Sequence, residues 1–428
     1  MMHFYQALHE NLFSATLSNG LTVKVVPRPG FSKKLAYFVT DFGSIHTDFL
    51  LDGEKVSVPA GIAHFLEHKM FELPDRDVSA EFAAMGANIN AFTSYDMTAY
   101  YFSCTQRFED NLRLLLEFVS TPYFTAESVQ REIGIIDQEI GMCEDSPERV
   151  FENLVGAMYE NHPIRVPILG TRESIRQITP ELLYTCHRAF YTPANMILCV
   201  IGDVDPQTVV TLAESVLGTQ RKSVGEKLRH WPEQMVCPSA EVSMEMEVAM
   251  PNFMLGFKCP PVSAGVDTVR QEIIGDLAAE VLYGESSALY LKLYEEGLID
   301  SSFGGGFEII DGCSILTCGG DSEDAAAVQA AILEKAAEIA KNGIPESDFL
   351  RMKRSALGRR IRELDSFDST CFRLCAYHFS QFDYFAFPSV YPDVTSDLVC
   401  AFLSEMVQKP RCSLSVLYPK TNTMEVNT

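Results

Sequence analysis

The hydrophobic pattern in the first half of the chain alternates between two periods. Runs in which every second residue is apolar predict strands, whereas apolar residues three and four positions apart predict helices. Asn19-Gly20 lies between two alternating runs and is typical of a hairpin turn. Strands joined by hairpins, with helices packed on one face of the sheet, indicate an α+β fold. The pattern predicts strands at residues 21–26, 35–41, 89–94, 98–104 and 195–201, and helices at 59–71, 78–85, 107–119, 126–143, 147–160 and 180–190.

Two landmarks of this pattern recur in the same order in the second half of the chain. The strand end and helix start at Cys104 have a counterpart at Cys318, 214 positions later. The run Thr-Pro-Glu-Leu at Thr179 returns as Thr-Ser-Asp-Leu at Thr395, 216 positions later. We therefore expect a duplicated α+β unit, which also accounts for the length of 428 residues. The predicted divisions are a first domain at 1–220, a linker at 221–239 and a homologous domain at 240–428.

Composition narrows the classes of function. The chain has 34 Lys+Arg against 58 Asp+Glu, a net charge of −24, which argues against binding of a nucleic-acid backbone. The amino terminus lacks the pattern of a secretory signal, and no run approaches the roughly 18 apolar residues of a membrane-spanning helix. Twelve cysteines are scattered without a CxxC pair, which is typical of free thiols in a reducing cytoplasm. We expect a cytoplasmic protein that binds neither nucleic acid nor membranes.

The clearest candidate for chemistry is the run GIAHFLEH, which begins at Gly61. On a helix, His64, Glu67 and His68 share one face. Two imidazoles one turn apart can bind a single Zn²⁺, and the carboxylate between them can reach a water on the metal. This HxxEH order reverses the commoner HExxH. The alternative is a surface helix with two solvated histidines, which the apolar residues around them disfavour.

A catalytic zinc site needs a third protein ligand. The helix predicted to begin at Thr125 carries Glu132 and Glu139 two turns apart on one face. Asp137 lies on the same helix, and spacing alone does not choose among the three carboxylates. If the histidines are set aside, a solvated acidic helix face remains the alternative.

These motifs together resemble a known family. HFLEH, the NAFTS run at 90–94, the TAYYFSC run after it and REIGIIDQEI look like the pitrilysin (insulinase) family of inverted-motif zinc peptidases. HPIRVPILGT at 162–171 and FYTPANMILCVIGDVD at 190–205 extend the resemblance along the first domain. The size is similar to the short class of that family, which has two homologous domains per chain and includes the mitochondrial processing peptidase. The resemblance implies a LuxS-like metallohydrolase fold and one Zn²⁺ per chain.

The resemblance also implies a role for each residue of the motifs. His64, His68 and Glu139 would bind the zinc, and Glu67 would be the general base. Glu132 would support the metal ligands from outside the coordination sphere, and activity would depend on it.

Asn90, Ala91 and Phe92 look like the substrate-binding edge strand of the family. A peptide would add to this strand through main-chain hydrogen bonds, which give affinity without a strict choice of side chains. An ordinary edge strand without that role is the alternative.

The second copy has lost the metal motif. The counterpart of its zinc helix, near 269–283, contains no histidine. Tyr294 and Asp300 stand where the family carries an Arg and a Tyr that hold the substrate carbonyl. We therefore expect a zinc-less paralogue to supply that pair in a heterodimer, with a homodimer as the other arrangement. The counterpart of the Glu132 helix carries six basic residues, which are Arg351, Lys353, Arg354, Arg359, Arg360 and Arg362. They predict either a helix whose charges are solvated or an electropositive surface.

The sequence thus predicts a zinc-dependent endopeptidase that cleaves peptides or unfolded segments of polypeptide. A non-catalytic subunit of the same fold, which binds peptides or organises a complex, is the alternative. The missing Arg and Tyr favour that alternative, and the intact HxxEH motif disfavours it. A small-molecule hydrolase with the same metal site is a third interpretation, which the duplication disfavours because two such units suit the enclosure of a polymer.

Overall fold

A computed structural model describes residues 1–74 and 76–420 of the chain. The strands of the first half are β1 (Met2–Tyr5), β2 (Glu10–Thr16), β3 (Thr22–Pro27), β4 (Lys34–Thr40), β5 (Asp48–Leu51), β6 (Glu54–Ser57), β7 (Glu72–Leu73), β8 (Arg76–Asp77), β9 (Ala87–Thr93), β10 (Thr98–Cys104), β11 (Met196–Gly202) and β12 (Glu226–Lys227). Its helices are α1 (Ile62–Met70), α2 (Val78–Ala84), α3 (Phe108–Ser120), α4 (Ala126–Glu144), α5 (Arg149–Met158), α6 (Arg172–Ile175), α7 (Pro180–Phe190) and α8 (Pro206–Leu217).

The second half repeats this succession in a shorter form. Its strands are β13 (Glu241–Met246), β14 (Asn252–Cys259), β15 (Gly304–Ile310), β16 (Cys313–Asp321) and β17 (Cys412–Pro419). Its helices are α9 (Val266–Tyr283), α10 (Ala288–Glu295), α11 (Ala325–Asn342), α12 (Glu346–Arg362), α13 (Phe367–Phe379) and α14 (Ser396–Met406).

Each half of the chain builds one large mixed sheet, and the two sheets share a strand order. The first sheet runs β1-β2-β3-β11-β4-β10-β9, and the second runs β13-β17-β14-β16-β15. In both sheets one strand, β11 or β17, is parallel to one neighbour, β3 or β13, and antiparallel to the other, β4 or β14. The second sheet therefore matches the first from β3 to β9, strand for strand. This match confirms the predicted α+β fold with two homologous halves.

The two halves exchange segments between two compact units. Helix α5 of the first half lies in the second unit, where it packs against β14 and β17. Helix α13 of the second half lies in the first unit, where it packs against β4 and β11. Each sheet thus carries one exchanged helix in addition to the helices of its own half. The first unit comprises 1–140, 166–230 and 359–388, and the second comprises 141–165, 231–358 and the described residues from 389 onward.

The predicted domain boundaries concern the repeat along the sequence. They stay a prediction, because the compactness of a unit does not locate the ends of a duplication. The segment predicted as a linker contains β12, which pairs with β5 in the first unit.

Most predicted elements of the first half occur within three residues of their predicted ends. The pattern did not predict β1, the β5–β6 hairpin, α6 or α8, which are short or lie outside its clearest periodic runs. No helix among the described residues has the length and apolar content needed to cross a membrane.

Candidate metal centre

Helix α1 presents the HxxEH motif from the core of the first unit. Phe65 and Leu66 are fully buried in the main apolar cluster, which fixes the rotation of the helix about its axis. The helix begins after Gly61, whose φ is 87° and whose backbone lies against Leu169. A Cβ at this position would lie 2.3 Å from the carbonyl oxygen of Leu169, so only glycine fits. The HPIRVPILGT motif, which contains Leu169, therefore sets the start of the helix.

Three donor groups converge between α1 and α4. His64, His68 and Glu139 each place one donor atom within 4.8 Å of the others. The Nε2 atoms of the two histidines lie 3.7 Å from the two carboxylate oxygens of Glu139. This distance is too long for a hydrogen bond but close to the ~3.4 Å between ligand atoms of a tetrahedral zinc with bonds of about 2.0–2.2 Å. Oε2 of Glu139 is shielded from solvent and has no hydrogen-bond partner, so the group fits a metal ion.

Glu132 is hydrogen-bonded to the ring nitrogen of His68 that is not turned toward the other donors. Its Oε1 lies 2.9 Å from Nδ1 of His68, so Nδ1–H donates to the carboxylate. That tautomer leaves the lone pair of Nε2 facing the other donors, which is the usual arrangement behind a metal-binding histidine. Asp137, the other carboxylate considered on this helix, forms ion pairs with Arg172 and Arg176 instead. The geometry therefore separates three carboxylates that spacing alone could not distinguish.

Glu67 lies beside the donor group with one oxygen already engaged. Its side chain is buried, and its Oε2 accepts a hydrogen bond of 2.7 Å from the hydroxyl of Thr93. Burial raises the pKa of Glu67, and the charge of Glu139 adds to the effect, although the Thr93 hydrogen bond and His68 oppose it. A carboxyl group with a raised pKa suits the task of taking a proton and returning it.

The two histidines have different electrostatic environments. Burial, with a smaller contribution from the neighbouring His68, lowers the pKa of His64 to about 3, so His64 stays neutral as a metal ligand must. Burial also acts to lower the pKa of His68. The hydrogen bond with Glu132 and the charges of the nearby carboxylates outweigh burial, and the pKa of His68 is raised. The raised pKa favours the form of His68 that carries a second proton on Nε2, and a metal ion that binds at Nε2 would displace this proton.

Strand β9, which carries Asn90, Ala91 and Phe92, is the last strand at one edge of the first sheet. The Asn90 side chain accepts a hydrogen bond of 2.9 Å from the main-chain N–H of Ala91. The ring of Phe92 lies 5.9 Å from the ring of Phe372 on α13. These residues therefore lie at a sheet edge, and substrate binding there stays a prediction.

The second unit repeats the scaffold with other side chains. Helix α9, at the position of α1 in the order of elements, carries no histidine. Tyr294 lies on α10, is 52% exposed and stacks on Tyr290. Asp300 follows that helix and accepts hydrogen bonds from Ser302. Among the described residues, the segment that carries Tyr294 and Asp300 therefore has no cluster of side chains that could bind a metal ion.

The sequence patterns do not predict the contribution of two residues of the site, Gly61 and Thr93. Gly61 stands directly before the motif, but its contact with Leu169 joins distant parts of the chain, which no local pattern predicts. Thr93 lies within NAFTS, and strand alternation puts it on the same face as Ala91. That alternation was the available signal, but no pattern in the sequence shows that the strand ends beside Glu67.

Comparison with known proteins gives matches along nearly the whole chain. The family model "Insulinase (Peptidase family M16)" matches residues 57–172, and the model "Peptidase M16 inactive domain" matches residues 177–356. The uncharacterised zinc protease YmfH of Bacillus subtilis is 36% identical over 426 residues, which cover 97% of this chain and 99% of the relative. An uncharacterised zinc protease of Rickettsia felis is 26% identical over 260 residues, or 59% of this chain and 60% of the relative.

Solved structures agree with these matches. The crystal structure of an M16-like peptidase from Alicyclobacillus acidocaldarius has a TM-score of 0.92 and 33% identity, and the match covers 96% of this chain and 98% of that one. A protease from Helicobacter pylori, with a TM-score of 0.82 and 21% identity over 95% of this chain and 99% of that one, shares the fold. The two family models together span more than half of the chain, and His64, His68 and Glu139 all lie within the range of the insulinase model. The chain therefore belongs to peptidase family M16, the insulinase family.

Proposed function

We propose that the chain is a zinc-dependent endopeptidase that cleaves peptides or unfolded segments. The observation that carries this proposal is the convergence of His64, His68 and Glu139 within 4.8 Å, with Glu67 beside them. When bound there, zinc would activate a water and polarise the scissile carbonyl. The name of the Bacillus subtilis relative, a zinc protease, supports the same choice of metal.

Each residue of the site has a proposed task. His64, His68 and Glu139 hold the metal, and Glu132 keeps the Nδ1–H tautomer of His68 through its hydrogen bond of 2.9 Å. Glu67 takes the proton of the attacking water and returns it to the leaving amine. The raised pKa of Glu67, caused first by burial, supports both transfers.

The substrate in this proposal is an extended peptide. Strand β9 ends at Thr93, which contacts Glu67, so a peptide paired with the edge of β9 would lie near the reacting groups. Asn90, Ala91 and Phe92 would hold it through main-chain hydrogen bonds. This mode of binding suits unfolded segments, because a folded substrate has few free main-chain groups to offer.

The experiment that tests the proposal combines metal analysis with a peptidase assay. The purified chain should contain about one zinc per molecule and cleave an unfolded polypeptide, as expected for a three-ligand catalytic site. A chelator should abolish cleavage, and added zinc should restore it. A chain that holds zinc and cleaves no peptide, either alone or with a partner, contradicts the proposal.

A second candidate is a non-catalytic subunit that binds peptides or organises a complex. The observation that favours it is the presence of Tyr294 and Asp300 where the family resemblance leads one to expect an Arg and a Tyr. Without a cation beside the substrate carbonyl, the developing negative charge has less stabilisation. Peptide binding without hydrolysis in the assay above would support this candidate.

We also propose a partner that supplies the missing pair. A paralogue without the HxxEH motif would contribute the Arg and the Tyr in a heterodimer, and a homodimer is the alternative assembly. Hydrolysis should rise strongly when the purified chain is mixed with such a paralogue. Full activity of the isolated monomer would remove the need for a partner.

The cytoplasmic location expected from the scattered cysteines belongs to the same set of proposals, and cell fractionation tests it.

A further inference from the structure

A row of paired residues crosses the sheet of the first unit under helix α13. Cys199 of β11 is paired with Lys24 of β3 on one side and with Tyr37 of β4 on the other. Tyr101 of β10 continues the row beside Tyr37, and Asn90 of β9 ends it at the sheet edge. Paired residues on adjacent strands lie on the same face of a sheet. Lys24 and Cys199 are therefore neighbours in the interior.

Lys24 is a buried cation with weak compensation. Lys24 is only 7% exposed. Its Nζ donates to the carbonyl oxygen of Leu374 on α13 at 3.5 Å, the long limit for a hydrogen bond. The described residues place no carboxylate within ion-pair distance of this ammonium. A buried ammonium whose one acceptor is a distant carbonyl oxygen lacks a charged partner, which is costly, so an anion close to Lys24 is expected.

Three thiols surround the position where such an anion would lie. Cys199 is hydrogen-bonded with Cys371 and Cys375, which face it from successive turns of α13, and all three residues are fully buried. Burial alone would raise the pKa of Cys199, but the two thiol hydrogen bonds and the charge of Lys24 bring it well below the ordinary value. The lowered pKa of Cys199 agrees with the position of the three thiols beside Lys24, which has no carboxylate partner among the described residues.

His378, on the same helix, does not supply the missing charge. Burial and, to a smaller extent, the nearby Lys24 lower its pKa to about 4 against the opposing charge of Asp41, so His378 is neutral. Among the described residues, the three sulfur atoms also do not form a donor set as compact as that of His64, His68 and Glu139. A bound metal ion is thus a poorer explanation of the cluster than an ion pair.

We propose that Cys199 is the anionic partner of Lys24 and a peroxide-reactive modification site, whose oxidation joins it to Cys371 or Cys375 in a disulfide. Thiolates, not thiols, react with peroxides, and an adjacent cation is what keeps a thiol ionised. The ligand class is a small uncharged hydroperoxide, which can reach a buried site that larger oxidants cannot. The bond would tie a helix from the second half of the chain to a central strand of the first half. This inference does not depend on the proposed peptidase function.

The reaction needs only the peroxide as oxidant. The Cys199 thiolate attacks one peroxide oxygen, the O–O bond breaks, and a sulfenic acid and hydroxide form. The thiol of Cys371 or Cys375 then loses its proton to that hydroxide, which becomes water, and attacks the sulfenic sulfur. The S–O bond breaks and hydroxide leaves as the S–S bond forms. The two sulfurs together lose two electrons, which the peroxide takes up.

The test compares Cys199 with Cys186, a cysteine of the same unit that matches it in burial. Cys186 is also fully buried, but burial alone acts on its pKa, which is raised. The native full-length chain is treated with hydrogen peroxide, alkylated after denaturation, digested and analysed by mass spectrometry. We expect Cys199 to be linked to an α13 cysteine at least about tenfold faster than Cys186 is oxidised. A non-reducing denaturing gel should show faster migration, because the disulfide closes a long loop.

Variants separate the cation from the thiols. Cys199→Ser should abolish both the linked peptide and the gel shift, whereas Cys186→Ser should leave both unchanged. Lys24→Met should slow the linkage by about tenfold or more, because the thiolate loses its cation. If Lys24→Met does not fold, the ultraviolet thiolate absorbance of the unmodified chain and of Cys199→Ser is compared at neutral pH. Equal absorbance, or oxidation of Cys199 no faster than that of Cys186, overturns the proposal.

Discussion

The two sheets have the same strand order, yet the metal donors occur beside the first one. In α1, one face of the helix is packed in the core and the other carries His64, Glu67 and His68. In α9, which holds the corresponding place in the second unit, Ile273, Leu277 and most other apolar residues are buried and no histidine is present. Strand pairing and apolar packing are shared by the two units, whereas the donors are not. The difference shows that a few side chains on a common scaffold decide the chemistry.

Helices α4 and α12 extend the same comparison. On α4, Glu132 and Glu139 face the histidines of α1. On α12, the basic residues are divided between two tasks: Arg354 is exposed, whereas Arg360 is 6% exposed and lies over the rings of Tyr384 and Phe387. Arg354 belongs to the second unit and Arg360 to the first, so the basic residues of α12 do not form a single electropositive surface.

The largest effect should come from Glu67→Gln. The amide keeps the size and the hydrogen-bonding capacity of the side chain but cannot take a proton from water. We expect kcat to fall by roughly 10²–10⁴-fold, the range of general acid–base catalysis, while zinc content stays near that of the unchanged chain. Metal analysis and steady-state kinetics on one preparation check both parts. Retained hydrolysis would refute the role of Glu67 as the base.

A smaller effect is expected from Glu132→Gln. The amide can still accept from Nδ1–H of His68 but no longer stabilises the histidine by charge. Loss of such a carboxylate behind a metal ligand costs about 10–100-fold in metal affinity or activity. Zinc dissociation, followed with a competing chelator, measures the change.

Glu127→Gln is the matched control for that experiment. Glu127 lies in the first turn of the same helix, is exposed and is not among the donor residues. Its zinc affinity should equal that of the unchanged chain. An equal loss in both variants would mean that the helix, and not the contact with His68, determines the affinity.

The metal motif could be predicted from the sequence because its donors on α1 are four residues apart on one helix. Glu139 required the family resemblance, since only the folded chain shows that Asp137 is engaged with Arg172 and Arg176. The exchange of α5 and α13 between the units could not be predicted. Periodicity describes the exposed and buried sides of a helix, and it does not identify the sheet against which that helix packs.

A moderate effect is expected from Thr93→Val, which removes a hydrogen bond but keeps the shape of the side chain. Oε2 of Glu67 would lose its donor at 2.7 Å, and the carboxylate could rotate away from the attacking water. A hydrogen bond to a charged group contributes about 1.5–3 kcal/mol, so kcat should fall roughly 10-fold or more. KM and zinc content should change little.

Thr93→Ser is the conservative partner of that variant. It retains the hydroxyl and should restore most of kcat, because the donor to Glu67 is again present. If the serine variant loses as much kcat as the valine variant, the packing of Thr93 and not its hydrogen bond supports the site. The second unit has no such hydroxyl–carboxylate pair beside a donor group among its described residues, so the variant tests a feature of the first unit alone.

The smallest effect should come from Arg354→Ala, which tests whether the charge of α12 has a use. Arg354 is exposed, and removal of an exposed surface side chain away from special contacts changes the free energy of unfolding by about 0.5 kcal/mol or less. Arg360→Ala is the contrast on the same helix, because it leaves a cavity among aromatic rings and removes the bond to the hydroxyl of Tyr377, at a cost of about 2 kcal/mol or more. Denaturant unfolding measures both. If Arg354→Ala instead raised KM for acidic peptides without a change in stability, the exposed part of the helix would contact substrate, and the second unit would contribute to binding as well as to the scaffold.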